Sequence, residues 1–347
     1  MNDKPKRTEL HELGEFRLID HITEKIKHRN SSTVVGVGDD AAVIDSQGKR
    51  VVITTDFLLE GIHFDLTYFP LKHLGYKAIV VNLSDIYAMN AIPQQVTVSI
   101  GLSKRFCLED VEELYAGIYL ACERYGVDLV GGDTTSSLTG MTLSVTAIGL
   151  ALQNEISYRS GAKENDLICV TGNLGAAYLG LQLLEREKRV FQSNPSMKPE
   201  IEDHAYLLER FLKPEIPVNV INLLKEANIL PSSMIDISDG LSSEVLHICK
   251  NSKVGCRIYM GKIPIDQQTH QMAKEMNVDP FVAALNGGED YELLFTVPLN
   301  LHEKVLTIKG ISVIGHITKS SVGAFLVAPD GNEIALTAQG WNAYKEE

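Results

Sequence analysis

The sequence predicts a protein of two domains, each mixing helices and strands, and three observations predict it. The chain has 347 residues, 44% of them hydrophobic, whereas single cores stop growing at roughly 250–300 residues. Helical periodicity alternates with β-branched runs along the whole chain. The pattern lapses over 153–166 into polar, glycine-bearing sequence, which reads as a domain boundary and divides the chain into 1–152 and 153–347.

The elements follow in order. Phe16, Ile19, Ile22 and Ile26 form a helical stripe over 16–27, and the β-branched runs at 33–37 and 51–55 predict strands. A long, largely buried helix is expected over 71–89, a strand over 96–102, an amphipathic helix over 108–125 and a strand over 141–150. Past the boundary, a strand at 167–171 meets a helix at 174–189. The stretch 191–202, FQSNPSMKPEIE, is polar, carries two prolines and has no period, so it reads as a surface loop. Strands and helices alternate after it.

Composition narrows the function. A formal charge of -13 argues against nucleic-acid or anionic-membrane partners, which demand a basic face. No run reaches the ~18 apolar residues of a membrane span, and the opening MNDKPKRTEL lacks the apolar core of a signal peptide. A cytoplasmic location is the expectation. Cys107, Cys122, Cys169, Cys249 and Cys256 are scattered and never spaced C-x-x-C, so neither a zinc site nor a disulfide framework is indicated and buried free thiols are expected.

The most informative feature is the placing of aspartates. Asp39, Asp40, Asp56, Asp85, Asp133, Asp236 and Asp239 lie at predicted strand ends or beside glycine or serine. In VGVGDDAAV, ITTDFLLEGIHF, VGGDTT and IDISDGL an apolar run leads directly into the acid, which predicts carboxylates at the carboxyl ends of strands, where open α/β sheets bind ligands. An aspartate beside glycine or serine also makes a turn or a helix cap, and Asp239, just before a helix starting near Leu241, is a cap candidate. Recurrence in four segments favours the ligand reading. Converging carboxylates ~4 Å apart repel by about 4 kcal/mol at an effective dielectric of ~20, so cations would be needed, and oxygen donors without Cys or His suit Mg²⁺.

The familiar nucleotide signatures are missing. The Gly-Lys pairs at Gly48 and Gly261 are followed by Arg50 and Ile263, which excludes a P-loop, and Gly36-Val37-Gly38 lacks the third glycine of a dinucleotide fingerprint. No protein-kinase loop, H-E-x-x-H helix or G-x-S-x-G elbow is present.

The ordered segments GVGDDAAV, TTDFLLEGIHF, YKAIVVNLSDIYAMNA, VGGDTT, RSGAKENDL, VTGNLGAAYLGL, IDISDGL and GGEDYELLFTV span nearly the whole chain. Together they resemble the thiamine-monophosphate kinase family. VGGDTT-like and DISDGL-like segments also recur in aminoimidazole ribonucleotide synthetase, selenophosphate synthetase and a hydrogenase-maturation enzyme. No Cys precedes Cys107, where selenophosphate synthesis would require a reactive N-terminal thiol or selenol.

The resemblance implies an aminoimidazole ribonucleotide synthetase-like fold. Its N-terminal α+β domain would bind ATP and Mg²⁺ and pair its sheet with a second subunit in a homodimer, and its α/β C-terminal domain would complete the substrate site. It implies ATP as co-substrate and several Mg²⁺ ions held by Asp40, Thr54, Thr55, Asp56, Asp85, Asp133, Asp236 and Asp239, with Asp39 adjacent. ATP would meet Tyr115, Gly132, Asp133, Arg159 and Ser238; the acceptor, thiamine monophosphate, would meet His63, Glu289 and Trp341. The implied activity is direct in-line transfer of the terminal phosphate of ATP to give thiamine diphosphate, the last step of its biosynthesis, with no protein nucleophile. A non-catalytic, metal-stabilised or nucleotide-sensing protein is the alternative from another class, and ATP turnover with the acceptor separates the two.

Overall fold

In the computed structural model, which describes Thr8 and residues 21–35 and 43–339, the chain divides into two units. One comprises Met1–Ile86 and Ala91–Asn154, the other Tyr87–Asn90 and Glu155–Glu347.

The first unit holds a two-stranded ladder, β1 (Thr33–Val35) with β2 (Val43–Ile44), and a four-stranded sheet. The sheet is built from β3 (Arg50–Leu59), β4 (Ile92–Leu102), β5 (Asp128–Ser136) and β6 (Met141–Ala151), in the order β3-β6-β4-β5. Parallel strands need a crossover, and between β4 and β5 it is supplied by helix α2 (Leu108–Tyr125). The other pairings are antiparallel. Burial alternates along β6, with Leu143, Val145 and Ala147 inside, as expected of a sheet with one covered face.

Helix α1 (Leu71–Ala88) covers that face. Leu74, Ala78, Ile79, Leu83 and Ile86 are buried, as are Asn82 and Ser84, so the helix lacks the polar stripe of a surface helix. It meets α2 backbone to backbone: a Cβ on Gly117 would stand 1.8 Å from the Lys72 carbonyl, and one on Gly75 2.0 Å from that of Leu114. Asp128, wholly buried, accepts hydrogen bonds from the Arg29 and Asn30 amides and the Thr33 hydroxyl at 2.5, 3.0 and 2.6 Å, tying the entry to β1 against the sheet.

The second unit carries a seven-stranded sheet of β7 (Leu167–Thr171), β8 (Ser233–Asp236), β9 (Val254–Tyr259), β10 (Leu293–Val297), β11 (Ile311–Lys319), β12 (Ala324–Val327) and β13 (Glu333–Ala335). Its order is β13-β12-β9-β11-β7-β10-β8, and β9–β12 is the parallel pair among the ladders described. Helices α3 (Ala176–Ser193), α4 (Ala205–Leu212), α5 (Val218–Glu226), α6 (Leu241–Ser252), α7 (Gln267–Glu275), α8 (Pro280–Asn286) and α9 (His302–Leu306) complete it. One core joins Ile168, Val170, Ile235, Ile258 and Leu294 of the sheet to Val245 and Ile248 of α6. A second joins Leu179 and Leu183 of α3 to Leu207 of α4, Met272 of α7 and Ala283 of α8.

Some boundaries move. The strand expected at 51–55 runs on to Leu59, and α3 continues to Ser193, into the stretch expected to be loop from 191. Residues 16–20 of the helix expected over 16–27, and residues 36 and 37 of the first strand, lie outside the described residues; of the rest of that helix, 21–23 are helical and 24–27 are not. All five cysteines are free and buried. Among the described residues no helix is long and apolar enough to cross a membrane.

Because the Gly117 contact is backbone against backbone, Gly117→Ala must push α1 and α2 apart. Overpacking of this kind costs about 3 kcal/mol, so the midpoint of urea unfolding is expected to fall with the slope unchanged.

Candidate active site

Within the first unit the pleat of β3 sends alternate residues to opposite faces. Thr54 and Asp56 face α1, and the Thr54 hydroxyl donates to Asp85 Oδ2 at 2.6 Å. The Asp56 amide donates to Asn82 Oδ1 at 3.0 Å, and Asn82 is anchored by its own amide to the Ala78 carbonyl, one turn back, at 2.9 Å. Burial, and then the charge of Asp85, push the Asp56 carboxyl up to about 6.

Thr55 lies on the opposite face, donating to the Val145 carbonyl at 2.9 Å and accepting from the Thr146 hydroxyl at 3.2 Å. His63 follows β3, and its Nδ1 accepts the Leu59 amide at 3.0 Å, which in the neutral ring leaves the proton on Nε2. Tyr115 is packed in the interior, edge-on to Tyr119 at 5.9 Å between ring centroids, and burial raises its hydroxyl well above the usual range.

Asp133 is exposed on β5, level with Ser99 of β4. Three strand spacings of ~4.8 Å separate β3 from β5, so Asp133 stands about 14 Å across the sheet from the Asp56 strand. Gly132 beside it runs so close to β4 that a Cβ would sit 1.8 Å from the Val98 carbonyl. The expectation that the acids of ITTDFLL and VGGDTT occupy strand ends is therefore corrected, since Asp56 and Asp133 lie inside β3 and β5, whereas Asp85 lies in α1, within the helix expected over 71–89. The physical reason is that both strands continue their ladders past the acidic residue.

In the second unit Asp236 does close its strand, β8, and is buried. The IDISD and GGED segments are zipped together by their backbones. Ile237 N–H donates to the Glu292 carbonyl, Tyr291 N–H to that of Ile237 and Glu289 N–H to that of Ser238, at 2.8, 2.9 and 2.7 Å. A side chain at Gly288 (φ +70°) would clash with the Ser238 carbonyl, its Cβ at 2.4 Å; only glycine permits both the left-handed turn and the approach.

Asp239 is raised by burial and by Glu289 and pulled down by His247 and Arg159, so these four charged groups share one neighbourhood. Arg159 is exposed, and its loop is pinned by the Ser252 hydroxyl, which accepts the Gly161 and Ala162 amides at 3.1 Å each. Asp239 does not cap α6. Gly240 occupies the cap position without a side-chain bond, and the Asp239 amide donates instead to Glu244 Oε1 at 3.1 Å.

Glu244 was not among the expected residues. It is buried in the first turn of α6, and its Oε2 lacks a hydrogen-bond partner among the described residues. Burial, with the charges of Asp239 and Asp236 adding to it, pushes its carboxyl up to about 8. The signal available in the sequence was an acid in the first turn after DISDG. Asp39, Asp40 and Trp341 lie outside the described residues.

Among the described residues no three His, Cys, Asp or Glu side chains are grouped to enclose a metal. Oxygen donors in pairs fit Mg²⁺, which keeps several waters and takes one or two carboxylates together with substrate phosphates. Asp56 with Asp85 is a donor set of that kind.

Residues 38–151 match the family model described as AIR synthase related protein, N-terminal domain. The chain is 33% identical over 343 residues to the thiamine-monophosphate kinase of Bacillus subtilis (strain 168), covering 96% of this chain and 100% of that one. To the enzyme of the same name from Escherichia coli (strain K12) it is 33% identical over 345 residues, 95% and 98% of the two chains. Among solved structures, AaThiL complexed with AMPPCP and TMP superposes with a TM-score of 0.74 at 30% identity, covering 96% of this chain and 98% of that one. The hydrogenase maturation protein HypE in complex with ATP, at 18% identity and a TM-score of 0.72 over 92% and 94% of the chains, shares the fold.

Asp56 releases its proton at about 6 in the folded protein against an ordinary 3.8. Between those values the folded state holds the proton that the unfolded chain has lost, so stability falls as pH rises, and the whole penalty stands above pH 6. In metal-free protein Asp56→Asn is expected to melt above the parent at pH 8 and to lose that advantage near pH 3, as thermal unfolding across pH would record.

Proposed function

The chain belongs to the thiamine-monophosphate kinase family, and from that premise we propose that it transfers the terminal phosphate of ATP to thiamine monophosphate, giving thiamine diphosphate. The observation that carries the reading is identity of about a third to named thiamine-monophosphate kinases over 96% of the chain. The neighbouring AaThiL structure, complexed with AMPPCP, an ATP analogue, and TMP, supports the same pair of substrates.

The acceptor needs no base. A phosphate monoester has a second pKa near ~6 and is mostly a dianion at neutral pH. The obstacle is the meeting of two anions, and bound Mg²⁺ would neutralise their charge and help align them. Asp40, Thr54, Thr55, Asp56, Asp85 and Asp133 in the first unit, and Asp236 and Asp239 in the second, are the residues that would each help hold Mg²⁺ ions. Gly132, Arg159 and Ser238 would receive ATP; Arg159 offers the paired donors that suit phosphate oxygens. His63 and Glu289, with Trp341, would receive the acceptor. Transfer is direct and in line, with no phosphoenzyme.

We propose a homodimer formed through the four-stranded sheet. Val51, Ile53 and Phe57 alternate along β3 on the face away from α1 and are about half exposed or more, Ile53 at 64%. Contiguous exposed apolar surface of this kind marks an interaction site.

ADP release from ATP and Mg²⁺ is expected to require thiamine monophosphate, and thiamine diphosphate should accumulate in equal amount; release with thiamine, or with no acceptor, would overturn the assignment. Asp56→Asn and Asp133→Asn are expected to abolish turnover with the fold intact by circular dichroism, and full activity in both would remove the metal reading. Ile53→Asp should halve the mass measured by light scattering, and an unchanged mass would displace the dimer from this sheet.

A further inference from the structure

Beneath the 289–291 turn lies a cluster of charged side chains that phosphoryl transfer does not employ. Arg210 of α4 is largely buried. Its Nη1 donates to Glu292 Oε1 at 3.0 Å, and its Nη2 donates to the Asn173 and Asp290 carbonyls at 3.0 and 3.2 Å. The same Nη2 lies 3.8 Å from Asp290 Oδ1. Asp290 is wholly buried, and both its carboxylate oxygens take the Gly175 amide, at 3.1 and 2.9 Å, just ahead of α3. Glu292 is also buried, and its Oε2 accepts the Thr171 hydroxyl at 2.5 Å.

Directly above, the backbone is held where non-glycine residues seldom go. Glu289 has φ +61° and Tyr291 φ +51°, each costing on the order of 1–3 kcal/mol, and such conformations persist only where the surroundings over-determine them. The zipper to Ile237 and Ser238 fixes this turn from one side. The guanidinium fixes it from the other, since it bonds the Asp290 carbonyl between the two strained residues and the Glu292 side chain immediately after them.

We propose that Arg210 is a positioning residue for the acceptor: by clamping 290 and 292 it holds the left-handed turn that presents Glu289 beside Ser238 and Asp239. The assignment rests on the reading of Glu289 as an acceptor contact. Arginine suits the post because its planar fork engages a carboxylate and two carbonyls at once, which a lysine cannot do.

The test is steady-state kinetics with thiamine monophosphate and ATP on the parent, Glu289→Ala, Arg210→Met and the double variant, each checked for folding by near-ultraviolet circular dichroism. Arg210→Met is expected to raise KM for the acceptor about tenfold and that for ATP less than twofold, with no further loss when combined with Glu289→Ala, because both changes remove one interaction. Arg210→Lys should fall between. An unchanged acceptor KM in Glu289→Ala would overturn the acceptor reading of that residue and the positioning role with it. A raised KM in Glu289→Ala with none in Arg210→Met, or effects that multiply in the double variant, would overturn the positioning role alone. Should Arg210→Met fail to fold, Glu292→Gln, which keeps the shape and removes the charge, must show the same selective rise in acceptor KM, and its absence counts equally against the role.

Discussion

Like charges held close together are the constraint around which the first unit is arranged. Asp56 and Asp85 come from a strand and a helix, so neither can relax without moving an element that also forms the core. The pleat puts Thr54 and Asp56 on one face of β3, and helical spacing puts Asn82 and Asp85, three apart, on one face of α1. Two neutral donors steady the pair, the Thr54 hydroxyl on Asp85 and the Asp56 amide on Asn82. The first orients a carboxylate and the second fixes the strand that carries the other; burial and then the charge of Asp85 keep the Asp56 carboxyl raised.

The second unit meets the same conflict in two places. After β8 the buried Glu244 feels the charges of Asp239 and Asp236, and its Oε2 lacks a hydrogen-bond partner among the described residues. Asp290 and Glu292 are also buried, yet both lie against Arg210 and accept further bonds from Gly175 and Thr171. An unpaired buried charge is expensive and a bonded one far less so. The Arg210 cluster is consequently the satisfied one, and Glu244 is left with the unpartnered oxygen.

Much of this was legible in the sequence, and the exceptions have physical reasons. Helix α2 was read to its observed ends because its apolar period is regular and its termini are signalled by Asp110, which accepts the Cys107 amide, and by the left-handed Gly126. Strand β3 was read short because aspartate is a poor strand former, and ten paired residues of β6 override that preference. Likewise GGD at 131–133 looks like a turn, whereas Gly132 serves a close approach to β4. Thr54 and Thr55 are adjacent in the chain, and only the pairing register decides which one meets Asp85. Tyr115 was legible as a motif match, whereas its interior place, edge-on to Tyr119, is a tertiary fact. Glu244 is not legible as a site residue because a first-turn acid is usually just a favourable partner for the helix dipole, and its burial near two aspartates is a tertiary fact.

Register links the two faces of the first sheet. The alternation that turns Asp56 toward Asn82 and Asp85 turns Phe57 and Ile53 outward, so one strand supplies both a carboxylate for the inner face and apolar surface for the outer one. A slip of a single residue between β3 and β6 would exchange them, burying Phe57 against α1 and stranding Asp56 outside. The long antiparallel ladder from Arg50–Ala151 to Leu59–Thr142 makes such a slip costly, because every backbone bond in it must shift together. Site geometry and the apolar outer face are thus fixed by the same ten pairs, and neither can drift in sequence without regard to the other.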